Sequence, residues 1–250
     1  MDLGLTDGTW LVTGGSSGLG LASAAAVGAE GGHVVITGRH SERGRQALSL
    51  LPSGSRFIQG DLADPQFPEQ VLAAADGGPP LRGAVISVGG PPAGLPTSVT
   101  DDEWRSAFDT VFLGPVRLTR YLAESAPRLE SVVWVLSSSA RSPITGLAIS
   151  NGLRPGLAML VKDFADELGP RGIRVNGLLP GRFETPRVME LESAAPDPDQ
   201  VRRHFTGQIP LRRYGDPAEF GGMAAILLSR RASYVTGSLI SVDGGSTRAP

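Results

Sequence analysis

The stretch TGGSSGLG, residues 13–20, constrains this chain more than any other. It follows a short apolar run, GTWLV, and leads into LGLASAAAVGAEGG (19–32), an alanine-rich helical stretch closed by Gly31 and Gly32. Glycines at 14, 18 and 20, between a strand and a helix, demand a tight turn whose backbone passes close to something else. Gly14 permits the turn, and Gly18 and Gly20 permit the close approach. The amides that open the next helix, with the positive end of its dipole, favour a pyrophosphate at that point. Gly14, Ser16, Ser17, Gly18, Leu19 and Gly20 are therefore the candidate cofactor loop. A strand, turn and helix of this kind open a βαβ unit.

The rest of the chain continues the pattern. HVVITGR (33–39), SRFIQGDL (55–62), LRGAVISVGG (81–90), SVVWVLSSS (131–139), GIRVNGLLPG (172–181) and GSLISVDGG (237–245) read as strands. Helical stretches at 41–51, 64–75, 100–127, 155–169 and 216–229 separate them. The strands are apolar runs, as in a sheet covered on both faces. The expected fold is one α/β domain over residues 1–250, a Rossmann-type doubly wound parallel sheet of about seven strands with right-handed crossovers. Thr100 and the acids after it mark a helix start, and Pro115 predicts a kink in that helix. Residues 182–210 show weak periodicity around AAPDPDQ and are expected to form a flexible substrate lid.

Composition narrows the partners. The net charge is −2 with no long basic run, which argues against nucleic acid. No run of 18 apolar residues exists to span a membrane. The absence of cysteine excludes thiol catalysis and cysteine-based metal sites, so no metal is expected. It also fits a cytoplasmic protein, as does an N-terminus without a basic segment followed by an apolar run. At the end of the second strand, dinucleotide folds often carry an acid for the ribose 2′-hydroxyl. Here Gly38 stands in that place and Arg39 follows. An arginine pairs with a 2′-phosphate in a bidentate way, so the expected cofactor is NADP(H).

Through these residues the chain resembles the short-chain dehydrogenases/reductases along nearly its whole length. TGGSSGLG is similar to that family's cofactor loop, and GDLAD (60–64) to its adenine-side motif, which implies contacts from Asp61 and Leu62. SVGG (87–90) takes the place of its Asn-Asn-Ala-Gly motif and brings Gly89 to the cofactor. IRVNGLLPG (173–181) resembles its sixth-strand signature, which implies roles for Pro180 and Gly181. Thr185 stands for the threonine at the nicotinamide amide. The resemblance also implies a homo-oligomer, dimer or tetramer, and a small-molecule carbonyl substrate.

The resemblance fails where chemistry is expected. Typical members use Asn, Ser, Tyr and Lys. Those places hold Val111, a serine of SSS (Ser138, or Ser137 with a one-residue shift), Ser150 and Arg154. The pattern Ser150-Asn151-Gly152-Leu153-Arg154 resembles the SNxxR of a reductase-like subgroup. A serine hydroxyl is a far weaker acid than a phenol held near an ammonium. Arg154 gives up no proton but donates several hydrogen bonds, to a ribose or to a developing alkoxide. Proton delivery then falls to water or to the substrate's own donor. Of the three tyrosines only Tyr214 is placed to be tested as a substitute, and His204 lies in the expected lid. His33 and His40 flank the second strand, on the expected adenosine side. Pro155 predicts a helix that starts near Asn151, with Asn151 or Ser150 as N-cap. Arg202, Arg203, Arg212 and Arg213 either greet an anionic substrate or face solvent. Two functions follow: an NADPH-dependent reductase of a ketone using Ser138, Ser150 and Arg154, or an inactive NADP(H)-binding protein acting by interaction.

Overall fold

The computed structural model describes residues 2–193 and 195–248. Residue 194, within the expected lid, and residues 1, 249 and 250 lie outside the described residues. The chain runs through β1 (Thr9–Val12), α1 (Gly18–Ala29), β2 (His33–Gly38), α2 (Ser41–Leu48), β3 (Arg56–Gln59), α3 (Phe67–Ala75) and β4 (Leu81–Ile86). It continues with α4 (Asp101–Ala107), a π-helical segment (Phe108–Leu113), α5 (Gly114–Ser125), β5 (Ser131–Val135) and α6 (Ala148–Leu168). It closes with β6 (Arg174–Pro180), α7 (Pro186–Ser193), α8 (Pro198–Gln208), α9 (Pro217–Leu228) and β7 (Leu239–Val242). The seven strands form one parallel sheet in the order β3-β2-β1-β4-β5-β6-β7. The order reverses between β1 and β4, and in open α/β sheets ligands bind at such a switch, outside the carboxyl ends of the strands.

Alternation along each strand divides the core between two faces. Leu11, Val132 and Trp134 enter one layer with Leu118, Leu157 and Val161 of the covering helices. Trp10, Val12 and Val133 enter the other with Val27 and Phe220. Even the indole nitrogens are satisfied: Trp134 donates to Thr119 at 3.0 Å and Trp10 to the Leu5 carbonyl at 2.9 Å.

Three local expectations gain detail or are corrected. The helix over 100–127 does break its α geometry at Pro115, by a wide π turn over 108–113 that precedes the proline. Pro115 then sits in the first turn of α5, where its missing N–H costs least. Second, α6 begins at Ala148 with Leu147 as N-cap, so neither Ser150 nor Asn151 caps it. Pro155 lies well inside the helix and forfeits a backbone bond. The helix runs on because Ile149, Leu153, Leu157 and Val161 form a continuous buried stripe, and packing outweighs one lost bond. The Asn151 amide instead clamps the preceding loop, with both its atoms 2.9 Å from the backbone of Ile144. Third, the stretch 182–210 is not a bare loop: it contains α7 and α8. Its start signals are local. Asp197 accepts from the Gln200 amide at 2.8 Å ahead of Pro198, and Thr185 precedes Pro186.

Helix α1, which carries the glycine loop, is seated against α9. A Cβ added at Gly221 of α9 would lie 2.3 Å from the Ala22 carbonyl oxygen. Replacing Gly221 with alanine should therefore force the two helices apart. Overpacking of this kind costs about 1–3 kcal/mol, or roughly 2–12 °C in a chain of this size. Thermal unfolding of Gly221→Ala measures it, and an unchanged midpoint would contradict the close seam.

Candidate functional site

The glycine loop is shaped by its neighbours across the sheet. Gly14 has φ 59°, and a Cβ there would stand 2.8 Å from the Ser87 carbonyl oxygen. A Cβ at Gly20 would stand 2.3 Å from the Gly14 oxygen, so the first turn of α1 rests directly on the loop. The Thr13 hydroxyl donates to the Ser87 carbonyl at 2.7 Å and accepts from its amide at 2.9 Å. These bonds lock the ends of β1 and β4 side by side at the switch point.

Beside this loop opens a cavity of about 1490 Å³. Gly14, Ser16, Ser17, Gly18, Arg39, Asp61, Leu62 and Gly89, all expected at the cofactor, line it. Leu19 and Gly20 sit in the first turn of α1, Pro180 ends β6, and Gly181 and Thr185 follow it; none of these five forms its wall. Thr185 is nonetheless near the loop, for a Cβ built on Gly18 would meet its Cγ2 at 3.7 Å. The Asp61 carboxylate accepts from the Ala63 amide at 3.0 Å, which holds the turn after β3.

At the far end of the cavity Arg39 is joined by His40 and by Arg43 of α2. The Gln59 amide donates to the Arg39 carbonyl at 3.1 Å, which anchors the backbone and leaves the guanidinium to the cavity. Gly38 explains why no acid stands before it: a Cβ there would come 3.0 Å from the Ser16 hydroxyl. Nothing in a residue-by-residue reading singles out Arg43. Its spacing of four from Arg39, across the start of a helix, was the available signal.

The chemical end differs more from expectation. Val111 is buried and apolar in the π-helical segment, so no amide enters from there. Of the three serines after β5, Ser137 caps the following turn, accepting from the Ser139 amide at 3.1 Å. Ser138 is half-buried, and no side-chain bond is recorded for it among the described residues. The hydroxyl that reaches Ser150 belongs to Ser139, with the two oxygens 2.9 Å apart and both residues buried. Ser150 thus joins α6 to the turn after β5, inside the protein.

Arg154 lies one turn further along α6 and is 4% exposed. Its Nη1 donates to the Val135 carbonyl at the end of β5, at 2.8 Å, and its Nε has no partner. Burial alone acts on it and pulls the guanidinium down to about 10. A buried cation without a carboxylate is expensive and rarely kept for stability. The other substitutes for a proton donor are elsewhere. Tyr214 is buried and donates to Glu192 at 2.5 Å, with burial, foremost, pushing its phenol up to about 12. Tyr121 borders a separate hollow of about 480 Å³ between α3 and α5, and Tyr234 is fully exposed. His33 stands at the amino end of β2, opposite the cavity, where it meets Thr9 at 3.3 Å, and His204 is exposed on α8. The arginines beyond α7 are tied: Arg202 to Glu184, Arg203 to Asp197, Arg212 to the Gly207 carbonyl and Arg213 to Glu219. Among the described residues no cluster of three His, Asp or Glu side chains forms a metal site. Among the described residues no helix is long and apolar enough to cross a membrane.

A parallel sheet with a glycine loop at its switch point, and a cavity along its carboxyl ends, defines a dinucleotide-binding α/β protein. Residues 14–247 match the family described as Enoyl-(Acyl carrier protein) reductase. The human protein "Dehydrogenase/reductase SDR family member 4" is 30% identical over 249 residues, covering 94% of this chain and 86% of its own. The chain belongs to the short-chain dehydrogenase/reductase family. Among solved structures, L-sorbose reductase from Gluconobacter frateurii, complexed with NADPH and L-sorbose, is similar over 100% of both chains, with 27% identity and a TM-score of 0.92. A short-chain oxidoreductase from Pseudomonas aeruginosa, described as containing an atypical catalytic center, is similar over 98% of this chain and 99% of its own, with 27% identity and a TM-score of 0.91.

The lone Arg154 charge has a measurable cost. Its protonated form is favoured more in the unfolded than in the folded chain. The penalty is therefore present at every pH below about 10 and relieved only as pH climbs from there toward 12.5. The shift corresponds to about 3 kcal/mol, against about 1 kcal/mol for the bond to Val135. Arg154→Met should raise the melting temperature at pH 7 by about 4–8 °C. A fall by that amount would mean that Arg154 is a structural element.

Proposed function

We propose that this chain is an NADPH-dependent reductase of a ketone with a non-standard active site. The observation that carries the reading is the cavity itself. It joins the loop of Gly14 and Gly18 at the switch point to two arginines, Arg39 and Arg43, at its far end. Neither arginine has a salt bridge recorded among the described residues, so both are available to a 2′-phosphate. The loop suits the pyrophosphate, since Gly14 leaves no room for a side chain and the α1 amides open toward the cavity. The relatives support the assignment, because one is an L-sorbose reductase solved with NADPH.

A bound NADPH supplies the hydride for the carbonyl carbon. The chain's own part is to orient and to receive charge. Arg154, with Nε unpaired, donates to the ribose side of the site or to the oxygen on which negative charge develops. Ser138 offers a hydroxyl at the same carboxyl end of β5. Ser150 acts through Ser139, fixing the turn that presents Ser138. Water or the substrate's own hydroxyl delivers the proton. A homo-oligomer in the cytoplasm, with residues 182–210 as the substrate lid, completes the reading.

A second reading, an inactive NADP(H)-binding member, draws on the sealed Ser150 and on the apolar Val111. Turnover separates the two. Titration of the purified protein with NADPH and NADH, followed by fluorescence, tests what they share. Arg39→Ala should weaken NADPH about 10–100-fold and NADH by less than about threefold, the effect of losing hydrogen bonds to a charged group. Equal losses would remove the NADP assignment. In a ketone screen, Arg154→Met should lower kcat/KM by about 10²-fold or more, as for loss of one donor to a developing oxyanion. Ser150→Ala should stay within about tenfold of the parent, because its partner is Ser139. An equal loss in the two variants would put Ser150 at the reacting atoms.

A further inference from the structure

Two charged residues are buried among the described residues, Arg154 and Glu192. The second contacts Tyr214, Arg182 and Arg202, none of which has a place in the chemistry above. Glu192 stands in the last turn of α7, where a carboxylate opposes the helix dipole. Its surroundings repay this. The Tyr214 hydroxyl donates to Oε1 at 2.5 Å, Arg182 Nη1 lies 3.6 Å from the same oxygen, and Arg202 Nη1 lies 3.9 Å from Oε2. Arg182 is stacked over the Phe205 ring at 3.2 Å, and Arg202 over the Tyr214 ring at 4.8 Å.

The partners of Glu192 are fixed to the end of the sheet. Gly215 donates to the Arg182 carbonyl, and Glu184 to the Gly215 carbonyl, both at 3.0 Å. At the other end of α7, the Met189 amide bonds the Thr185 carbonyl at 3.0 Å, and the Val188 amide bonds the Thr185 hydroxyl at 3.4 Å. Thr185 is beside Gly18. Between these two anchors, Pro186, Arg187 and Glu190 face the cavity and form part of its wall. Apolar packing holds this helix only weakly, because Met189 and Leu191 are about half exposed and Val188 is only partly buried. Its position depends on the buried carboxylate at its end.

We propose that Glu192, Tyr214 and Arg182 form a latch that holds α7 as a wall of the cofactor cavity, and that its opening lets α7 swing from Thr185 to admit and release the dinucleotide. These are positioning residues, and the proposal rests on the cofactor reading given above. Hydrogen exchange of the full chain without nucleotide tests the mechanical part, and stopped-flow release of NADPH tests the gating part. In Tyr214→Phe, amides 187–193 should exchange at least tenfold faster, while those of α6 and α9 keep the parent's rates. NADPH should leave at least fivefold faster. Glu192→Gln keeps an acceptor for Tyr214 and should fall between the parent and Glu192→Ala in both measurements. Exchange that is unchanged at 187–193, or that rises evenly along the chain, overturns the latch, as does an unaltered release rate. A parent chain that binds no NADPH overturns the cofactor reading instead, and the exchange data still report whether the contact holds α7.

Discussion

The molecule turns on a contact between pieces of backbone. The oxygen of Gly14 lies where a side chain at Gly20 would have to go, and the oxygen of Ser87 lies where one at Gly14 would go. With the two Thr13–Ser87 bonds, this contact welds the loop, the first turn of α1 and the end of β4 into one rigid unit. Everything that gives the cavity its form is referred to that unit. β4 leads to the Ser87–Gly90 wall, β2 on the other side brings Arg39, and α1 points its free amides at the space between. A ligand site assembled this way needs little side-chain chemistry, because main-chain geometry has already selected for an anion.

Around this unit the two buried charges divide the labour differently. Glu192 is compensated on every side by a phenol and two guanidinium groups, so it behaves as a structural tie. Arg154 is compensated by one carbonyl only. The physics of burial makes that imbalance informative: such a charge is kept at a cost, and the proposed function gives it a use as a donor to a ligand. The Ser139–Ser150 pair fills the neighbouring position with a closed hydrogen bond. The side chains at this end of β5, two hydroxyls and a guanidinium, are donors of hydrogen bonds rather than ready sources of a proton.

The fold was legible in the sequence because its signals are local and repeated. Apolar strand runs, glycine after the first strand and alternating helical stretches all agree, and the seven-stranded sheet follows from them. The place of Arg39 on the cavity wall was legible for the same reason, because it stands next to a landmark. What escaped was set by contacts across the fold. A proline seven residues into α6 reads as a helix start, and only the buried stripe from Ile149 to Val161 shows why the helix ignores it. The choice among Ser137, Ser138 and Ser139 depends on how the chain turns after β5, which no spacing rule resolves. The polar periodicity of α7 and α8 was weak because Glu192 is buried there, while Met189 and Leu191 are exposed, the reverse of an ordinary surface helix.

The seam between α1 and α9 carries a consequence for the order of events in biosynthesis. The cofactor turn leaves the ribosome about two hundred residues ahead of Gly221, against which α1 is seated. At about 5–20 residues per second, α1 therefore waits on the order of ten seconds or more for the helix that secures it. For that interval the glycine loop exists without its far support, and β1 lacks the complete sheet on its β4 side. The glycine loop is thus finished only when a much later segment arrives, and its final form belongs to contacts far apart in the chain.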